Sequence, residues 1–306
     1  MSPKMGIALG SGGARGLAHV GVLAVLEEAG LVPDCVAGTS MGALVGGLYA
    51  ECVDSEEVGR RLWRYSGDPE FKASWEPFVE DAELERSRGF IQELRRSLQR
   101  KILTFKTFSS PSQQSADTLM EPLRRLFTVE NIEELKLPFA TVAIDLFSGE
   151  PRIFERGYLI SAVYASSAIP GVFPPLPLGG QLLVDGGGPY RVPVSVARKM
   201  GADFVLAIDI PSFNPEKEAY RTGLEVLMRS DAIARMRLNK MVLREADFVV
   251  TPDVGRFHWA NFAAADPIRA AGEEAMRAAL PALREALERH GSWRRRARKA
   301  LLKLVS

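Results

Sequence analysis

The sequence predicts an α/β fold built on a mainly parallel sheet, and three observations predict it. Met5 to Leu9 is a short apolar run that ends in the glycine loop Gly10-Ser11-Gly12-Gly13-Ala14-Arg15-Gly16. Leu17, Val20, Leu23 or Ala24, and Leu26 then recur at helical spacing until Gly30 supplies a stop. With the next apolar run, Cys35 to Ala37, this makes a βαβ unit whose right-handed crossover sets its two strands parallel. Further on, Phe139 to Ile144, Leu182 to Val184 and Phe204 to Ile208 read as strands, and each runs up to an aspartate: Asp145, Asp185 and Asp209. The 306 residues suffice for one large α/β domain or two smaller ones, and a 46% hydrophobic content supplies the core.

Taken in order, the second strand leads into Gly38-Thr39-Ser40-Met41-Gly42, a G-x-S-x-G turn before a helix with apolar residues at Leu44, Val45 and Leu48. Glycines two before and two after the serine let strand and helix approach closely, which strains the serine and lifts its hydroxyl out at a helix start. Amides there, Met41's first, lack helical partners and can face a developing oxyanion. The alternative is an ordinary turn in which Ser40 caps the helix. Ser55 to Tyr65 reads as a short helix, and Asp117 to Phe127 as another. Residues 67–118, with Trp75, Phe78, Phe90, a charged stretch Glu80 to Arg100 and the polar SSPSQQSADT, read as a candidate lid or cap insertion. Between the first two aspartate-ending strands, Ala165-Ser166-Ser167-Ala168-Ile169-Pro170-Gly171-Val172-Phe173-Pro174-Pro175 reads as a small-residue turn followed by a rigid apolar run. Leu224 to Leu243 is an amphipathic helix, Phe248 to Val250 a strand, and Ile268 to Arg289 a helix interrupted near Pro281. The domain is therefore expected to span 1–288, with 289–306 a basic tail.

Composition narrows the partners. Balanced charge, 39 basic against 38 acidic residues, argues against a nucleic-acid binder. Cys35 and Cys52 form no disulfide framework and match no metal spacing, which fits free thiols in a reducing compartment. The N-terminus does not read as a signal peptide, and no long apolar run suggests a membrane span, so a soluble, cytoplasmic protein is expected. The tail from Arg289 adds six more basic residues to Trp293, Leu301, Leu302, Leu304 and Val305. Such a segment can lie on the inner face of an anionic membrane or form a solvated terminal helix.

The glycine loop offers amides to an anion, either an oxyanion or a nucleotide phosphate. Its spacing is G-x-G-x-x-x-G, with Arg15 where a dinucleotide fingerprint has its third glycine, and the second strand ends without the acidic residue that would hold ribose. Arg15 is a candidate loop or head-group contact. A serine nucleophile also needs a base. His19 follows the glycine loop and reads as packing or loop support, His290 sits in the tail, and His258 lies in an irregular stretch, so either His258 or a strand-end aspartate is available. Asp185 is favoured because Gly186-Gly187-Gly188 allows the backbone to come close.

Together, the loop at 10–16, Gly38-Thr39-Ser40-Met41-Gly42, Ala165-Ser166-Ser167-Ala168-Ile169-Pro170 and Asp185-Gly186-Gly187 resemble the four ordered motif blocks of the patatin-like phospholipases. The resemblance runs from about Met5 to about Asp209. It implies a three-layer α/β/α sandwich and a serine acyl hydrolase of lipid esters with no metal and no organic cofactor. Ser40 is similar to the family nucleophile, Asp185 to its catalytic partner, and the Gly12 and Gly13 amides to its oxyanion hole, with Arg15 and Met41 as candidate substrate or loop contacts. Arg191 departs from the pattern, standing where the family commonly has asparagine two residues before the proline. A slow lipid-binding or regulatory module, and nucleotide binding at the glycine loop, are the other classes to weigh.

Overall fold

The computed structural model describes residues 3–67, 112, 114–211 and 222–305, with side chains to residue 292. Among the described residues, eight strands form one sheet: β1 (Met5–Leu9), β2 (Cys35–Gly38), β3 (Phe139–Asp145), β4 (Pro151–Phe154), β5 (Leu176–Leu178), β6 (Gln181–Asp185), β7 (Phe204–Ile208) and β8 (Phe248–Val250). Their order is β5-β6-β3-β2-β1-β7-β8, and β4 also pairs with β3. Strands β3, β2, β1, β7 and β8 pair in parallel, whereas β4 and β6 run antiparallel to β3. The helices are α1 (Ala18–Glu28), α2 (Met41–Cys52), α3 (Ser55–Ser66), α4 (Asp117–Leu126), α5 (Leu159–Ser167), α6 (Val194–Lys199), α7 (Gly223–Val242) and α8 (Ala265–Val305).

Alternation along the strands builds two cores of different grain. Ile7, Leu9, Val36, Phe139, Phe204, Leu206 and Ile208 point to one face, where they pack with residues of α1, α2, α5 and α8. Ala8, Cys35, Ala37, Ala140, Val205 and Ala207 point to the other, where they meet Val194, Val196 and Ala197 of α6. Successive strand residues address opposite faces, so large residues fill one side and small residues bring α6 close on the other. The result is a three-layer α/β/α sandwich. From Ala18 to Leu26 every residue of α1 is buried, because the helix is covered by α8 as well as by its own layer.

The registers around β3 place the site. Thr141 pairs with Gly38 of β2 and with Phe154 of β4, so β2 and β4 hold opposite edges of β3. Ala143 and Ile144 pair with β4 and also with Asp185 and Val184 of β6, so β6 lies on the edge that β2 has left. Strand β6 thus descends head-on towards the end of β2.

Strand β6 is antiparallel, and Asp185 comes to the edge occupied by Asp145 and Asp209 from the opposite direction. Two expectations are corrected. The Ala165–Ser167 stretch is the last turn of α5 rather than a turn between elements. Helix α8 runs through Pro281, where the sequence predicts an interruption, and continues past residue 288. Proline removes one helical donor, and the exposure of both Pro281 and Arg277 lets water satisfy the carbonyl it abandons. Strands β4 and β5 add to the expected set. The candidate lid at 67–118 lies, apart from its ends, outside the described residues. No helix among the described residues is long and apolar enough to cross a membrane.

Candidate active site

Ser40 sits between β2 and α2 with φ 56° and ψ −121°, a left-handed conformation that costs a non-glycine residue about 1–3 kcal/mol. Close packing on both sides maintains it. A Cβ on Gly42 would stand 2.1 Å from the Leu9 carbonyl oxygen, and one on Gly38 would stand 2.2 Å from the Gly42 carbonyl oxygen, so strand and helix touch backbone to backbone. Hydrogen bonds do the rest. The Ser40 N–H donates to Ser166 Oγ at 3.0 Å, and that hydroxyl donates in turn to the Val142 carbonyl at 2.8 Å. The Ser40 carbonyl accepts from Ala43 and Leu44, and Thr39 Oγ1 donates to the Tyr190 carbonyl at 2.8 Å. The Ser40 side chain is left for chemistry.

Its partner is Asp185. The carboxylate faces the Ser40 hydroxyl, which pulls its pKa down, and through Oδ1 accepts the Gly187 N–H at 2.6 Å. Burial pushes its pKa up from 3.8 to about 6, while the bonds from Ser40 and Gly187 and the charges of Arg191 and Arg235 pull the other way. The residue as a whole is half-buried and lines a cavity. A carboxylate with that pKa is ionised at neutral pH yet basic enough to take a proton.

The glycine loop faces the same place. Ser11 N–H donates to the Arg191 carbonyl at 2.8 Å and Ala14 N–H to the Trp259 carbonyl at 2.7 Å, which anchors the loop on both sides of Gly12 and Gly13. Buried His19 donates from Nε2 to the Gly10 carbonyl at 2.7 Å, and burial lowers its pKa to about 4, so it supports the loop as a neutral ring. Gly13 has φ +57°, and a Cβ there would lie 2.4 Å from the Trp259 carbonyl oxygen. Among the described residues, the N–H groups of Gly12, Gly13 and Met41 have no hydrogen-bond partner. Unengaged amides beside a strained serine are what an oxyanion requires.

The other candidate bases are occupied elsewhere. Asp145 accepts from the Leu182 N–H at 2.9 Å and from Ser148 Oγ at 2.7 Å, bonds that hold its pKa down to about 2 and make it a clamp for its own turn. Asp209 accepts from Asn239 Nδ2 at 3.0 Å and faces Arg191 Nε at 3.8 Å. His258 does not line either cavity at Ser40. Arg15 donates to the carbonyls of Phe257 and Pro211 at 2.8 and 2.9 Å and also reaches the cavity wall. Ser166 was legible as a small residue of the third motif block, and its role as acceptor of the Ser40 N–H was not. Arg235 carried no signal at all. Among the described residues, no group of three or more His, Cys, Asp or Glu side chains converges as a metal site would need.

Two cavities meet at Ser40. One, of about 60 Å³, is apolar and runs between α2, α3 and α4, lined by Met41, Leu44, Leu62, Leu119, Leu123 and Phe173 among others. The other, of about 450 Å³, is bounded by the glycine loop, Asp185, Arg15, Arg191, Arg235 and Trp259. A molecule spanning both would place an apolar arm on one side of the serine and a polar arm on the other.

Comparison with known proteins places the chain in a family. A family model described as patatin-like phospholipase matches residues 7–198. A patatin-like phospholipase domain-containing protein of Caenorhabditis elegans is 36% identical over 221 residues, 72% of this chain and 14% of its own length. Patatin-like phospholipase domain-containing protein 6 of Mus musculus is 35% identical over 208 residues, 67% of this chain and 13% of its own length. An uncharacterized NTE family protein of Mycobacterium tuberculosis is 34% identical over 209 residues, 68% of this chain and 49% of its own length. The chain thus spans half or less of the length of these relatives. Among solved structures, VipD from Legionella pneumophila is similar with a TM-score of 0.45 and 14% identity, covering 95% of this chain and 67% of that one.

Proposed function

This chain belongs to the patatin-like phospholipase family, and from that premise we propose that it is a serine acyl hydrolase acting on lipid esters through a Ser40–Asp185 dyad. The observation that carries the reading is the Ser40 hydroxyl set against the half-buried Asp185 carboxylate, at the junction of an apolar and a polar cavity. Ser40 Oγ attacks the ester carbonyl carbon as its proton passes to Asp185. The amides of Gly12 and Gly13, with Met41 beside them, receive the charge that develops on the carbonyl oxygen. Collapse breaks the bond to the alcohol oxygen, which leaves with the proton from Asp185 and yields an acyl-serine. Water then attacks that ester, gives a proton to Asp185, and the proton returns to Ser40 as the carboxylic acid departs. The apolar cavity takes the acyl chain and the polar one the alcohol.

Labelling with a fluorophosphonate probe, beside release of p-nitrophenol from short and medium acyl esters, tests this. Labelling confined to Ser40, lost in Ser40→Ala and with turnover abolished in Asp185→Asn, is the expected outcome. A folded protein that turns over esters equally well without Ser40 would end the proposal.

A further inference from the structure

Three arginines, Arg15, Arg191 and Arg235, line the polar cavity together with two carboxylates, Asp185 and Asp231. Arg15 is 8% exposed, its guanidinium held by two backbone carbonyls, and among the described residues it has no carboxylate partner. Arg191 donates to the Ile210 carbonyl and has Asp209 only at 3.8 Å, a carboxylate already shared with Asn239. Arg235 arrives from α7, its Cδ lying 4.0 Å from where a Cβ on Gly188 would stand, and pairs with Asp231 at 2.8 Å. That last pair is about half exposed at the rim, 49% and 60%, so solvent screens it. Desolvation, the largest cause, and the neighbouring charges of Arg15 and Arg235 lower the pKa of Arg191, while the charges of Asp209 and Asp185 act against them.

Guanidiniums from three separate elements face one space, and the repulsion among them that Asp185 and Asp231 leave is relieved by an anion that accepts from several directions. A phosphate does so; a carboxylate is satisfied by a single fork. The space lies across Ser40 from the apolar cavity, so the anion belongs to the alcohol that leaves. The next turn outward on α7 exposes Leu227 and Met228, 66% and 63%, one turn before Asp231, so the mouth suits an amphiphile better than a soluble phosphate. Arg235 lies outside the segment that matches the family.

We propose that Arg191 and Arg235 form an anion subsite that selects acyl esters whose leaving group carries a phosphate and net negative charge, in preference to zwitterionic or neutral leaving groups. The inference rests on the hydrolase reading above. It concerns which ester is cleaved, and its test separates the two.

Three substrates with one acyl chain are compared: a 1-acylglycerol 3-phosphate, the corresponding phosphocholine, and the monoacylglycerol. The phosphate ester should lead in kcat/KM by about ten- to a hundredfold, the scale of a charge-assisted hydrogen bond. In Arg235→Gln that lead should shrink at least tenfold, chiefly through KM. Equal rates for the three in wild type, or an Arg235→Gln loss equal for all, would overturn the proposal. Calorimetric titration of Ser40→Ala supplies the second readout: preferential binding of the phosphate ester, lost on adding Arg235→Gln, sustains the subsite even if no ester is turned over, an outcome that would sink the hydrolase reading alone. Glycerol 3-phosphate binding as tightly as its acyl ester would assign the subsite to a soluble phosphate and refute the lipid leaving group.

Discussion

Replacing Asp185 with asparagine should stop catalysis and stabilise the fold, and the stabilisation should depend on pH in one direction. Asp185 has a native pKa of about 6 against 3.8 for an unperturbed carboxyl. Between those values the native chain holds a proton that the unfolded chain has released, so native stability falls as pH rises through the window and the loss is complete above about pH 6. At 1.36 kcal/mol per pH unit, the interval sets an upper bound of about 3 kcal/mol on what ionised Asp185 costs. Since the carboxylate borders a water-accessible cavity, a gain of about 1–2 kcal/mol is expected for Asp185→Asn at pH 7.5, or a few degrees in Tm. The amide keeps the local bonds: its oxygen accepts from the Gly187 N–H, and its nitrogen donates to Ser40 Oγ. His19 titrates nearby with the opposite sign. Its pKa is lowered from 6.5 to about 4, so it removes stability as pH falls through that range. Both proteins contain His19, so the difference between their melting curves isolates Asp185. The assay is Tm from pH 4 to 8 for wild type and variant, with ester turnover alongside. The gap should be near zero at pH 4, widen to about pH 6 and then level off, while turnover is lost throughout. A variant less stable than wild type at pH 7.5, or a gap independent of pH, would refute the argument that burial tunes this carboxylate as a base.

The remaining predictions concern the groups that aim the serine and the oxyanion. Ser166→Ala removes the acceptor of the Ser40 N–H and the donor to the Val142 carbonyl, both buried, so a loss of about 1–3 kcal/mol by urea denaturation and at least a tenfold fall in kcat are expected; an unaffected kcat would show that Ser40 holds its conformation without it. Gly13→Ala meets a φ of +57° and the Trp259 carbonyl at 2.4 Å, so the loop must shift and kcat should fall on the order of a hundredfold with the circular dichroism spectrum retained; turnover within twofold of wild type would remove the Gly13 amide from the oxyanion hole.

How much of this could be read from the chain follows from how local each feature is. The serine elbow was legible because its demands are short-range. Gly38 and Gly42 stand where backbone meets backbone, and apolar residues on either side name the strand and the helix. The first βαβ unit was legible for the same reason, with periodicity switching from two to about 3.6 within a few residues. Pro281 misled because the rule against proline inside a helix assumes that the abandoned carbonyl is buried, and on the exposed face of α8 it is not.

The choice among three strand-end aspartates shows where local reading stops. Each of Asp145, Asp185 and Asp209 closes an apolar run, and a parallel sheet would bring all three to one edge as equals. What separates them is long-range. Asp145 is consumed by the Leu182 N–H, 37 residues away, and by its own turn. Asp209 is consumed by Asn239 of α7 and by Arg191. Asp185 alone comes down an antiparallel strand on the edge of β3 that β2 vacates when it turns into the Ser40 elbow, so the two chain ends meet over Ala143. Strand direction here depends on the β5–β6 hairpin, whose turn at Gly179 and Gly180 carries φ of +58° and +79°. A glycine pair between Leu178 and Gln181 was the sequence signal for that hairpin. Reading it as a turn reverses β6, and the reversal is what sets the Asp185 carboxylate against the serine hydroxyl.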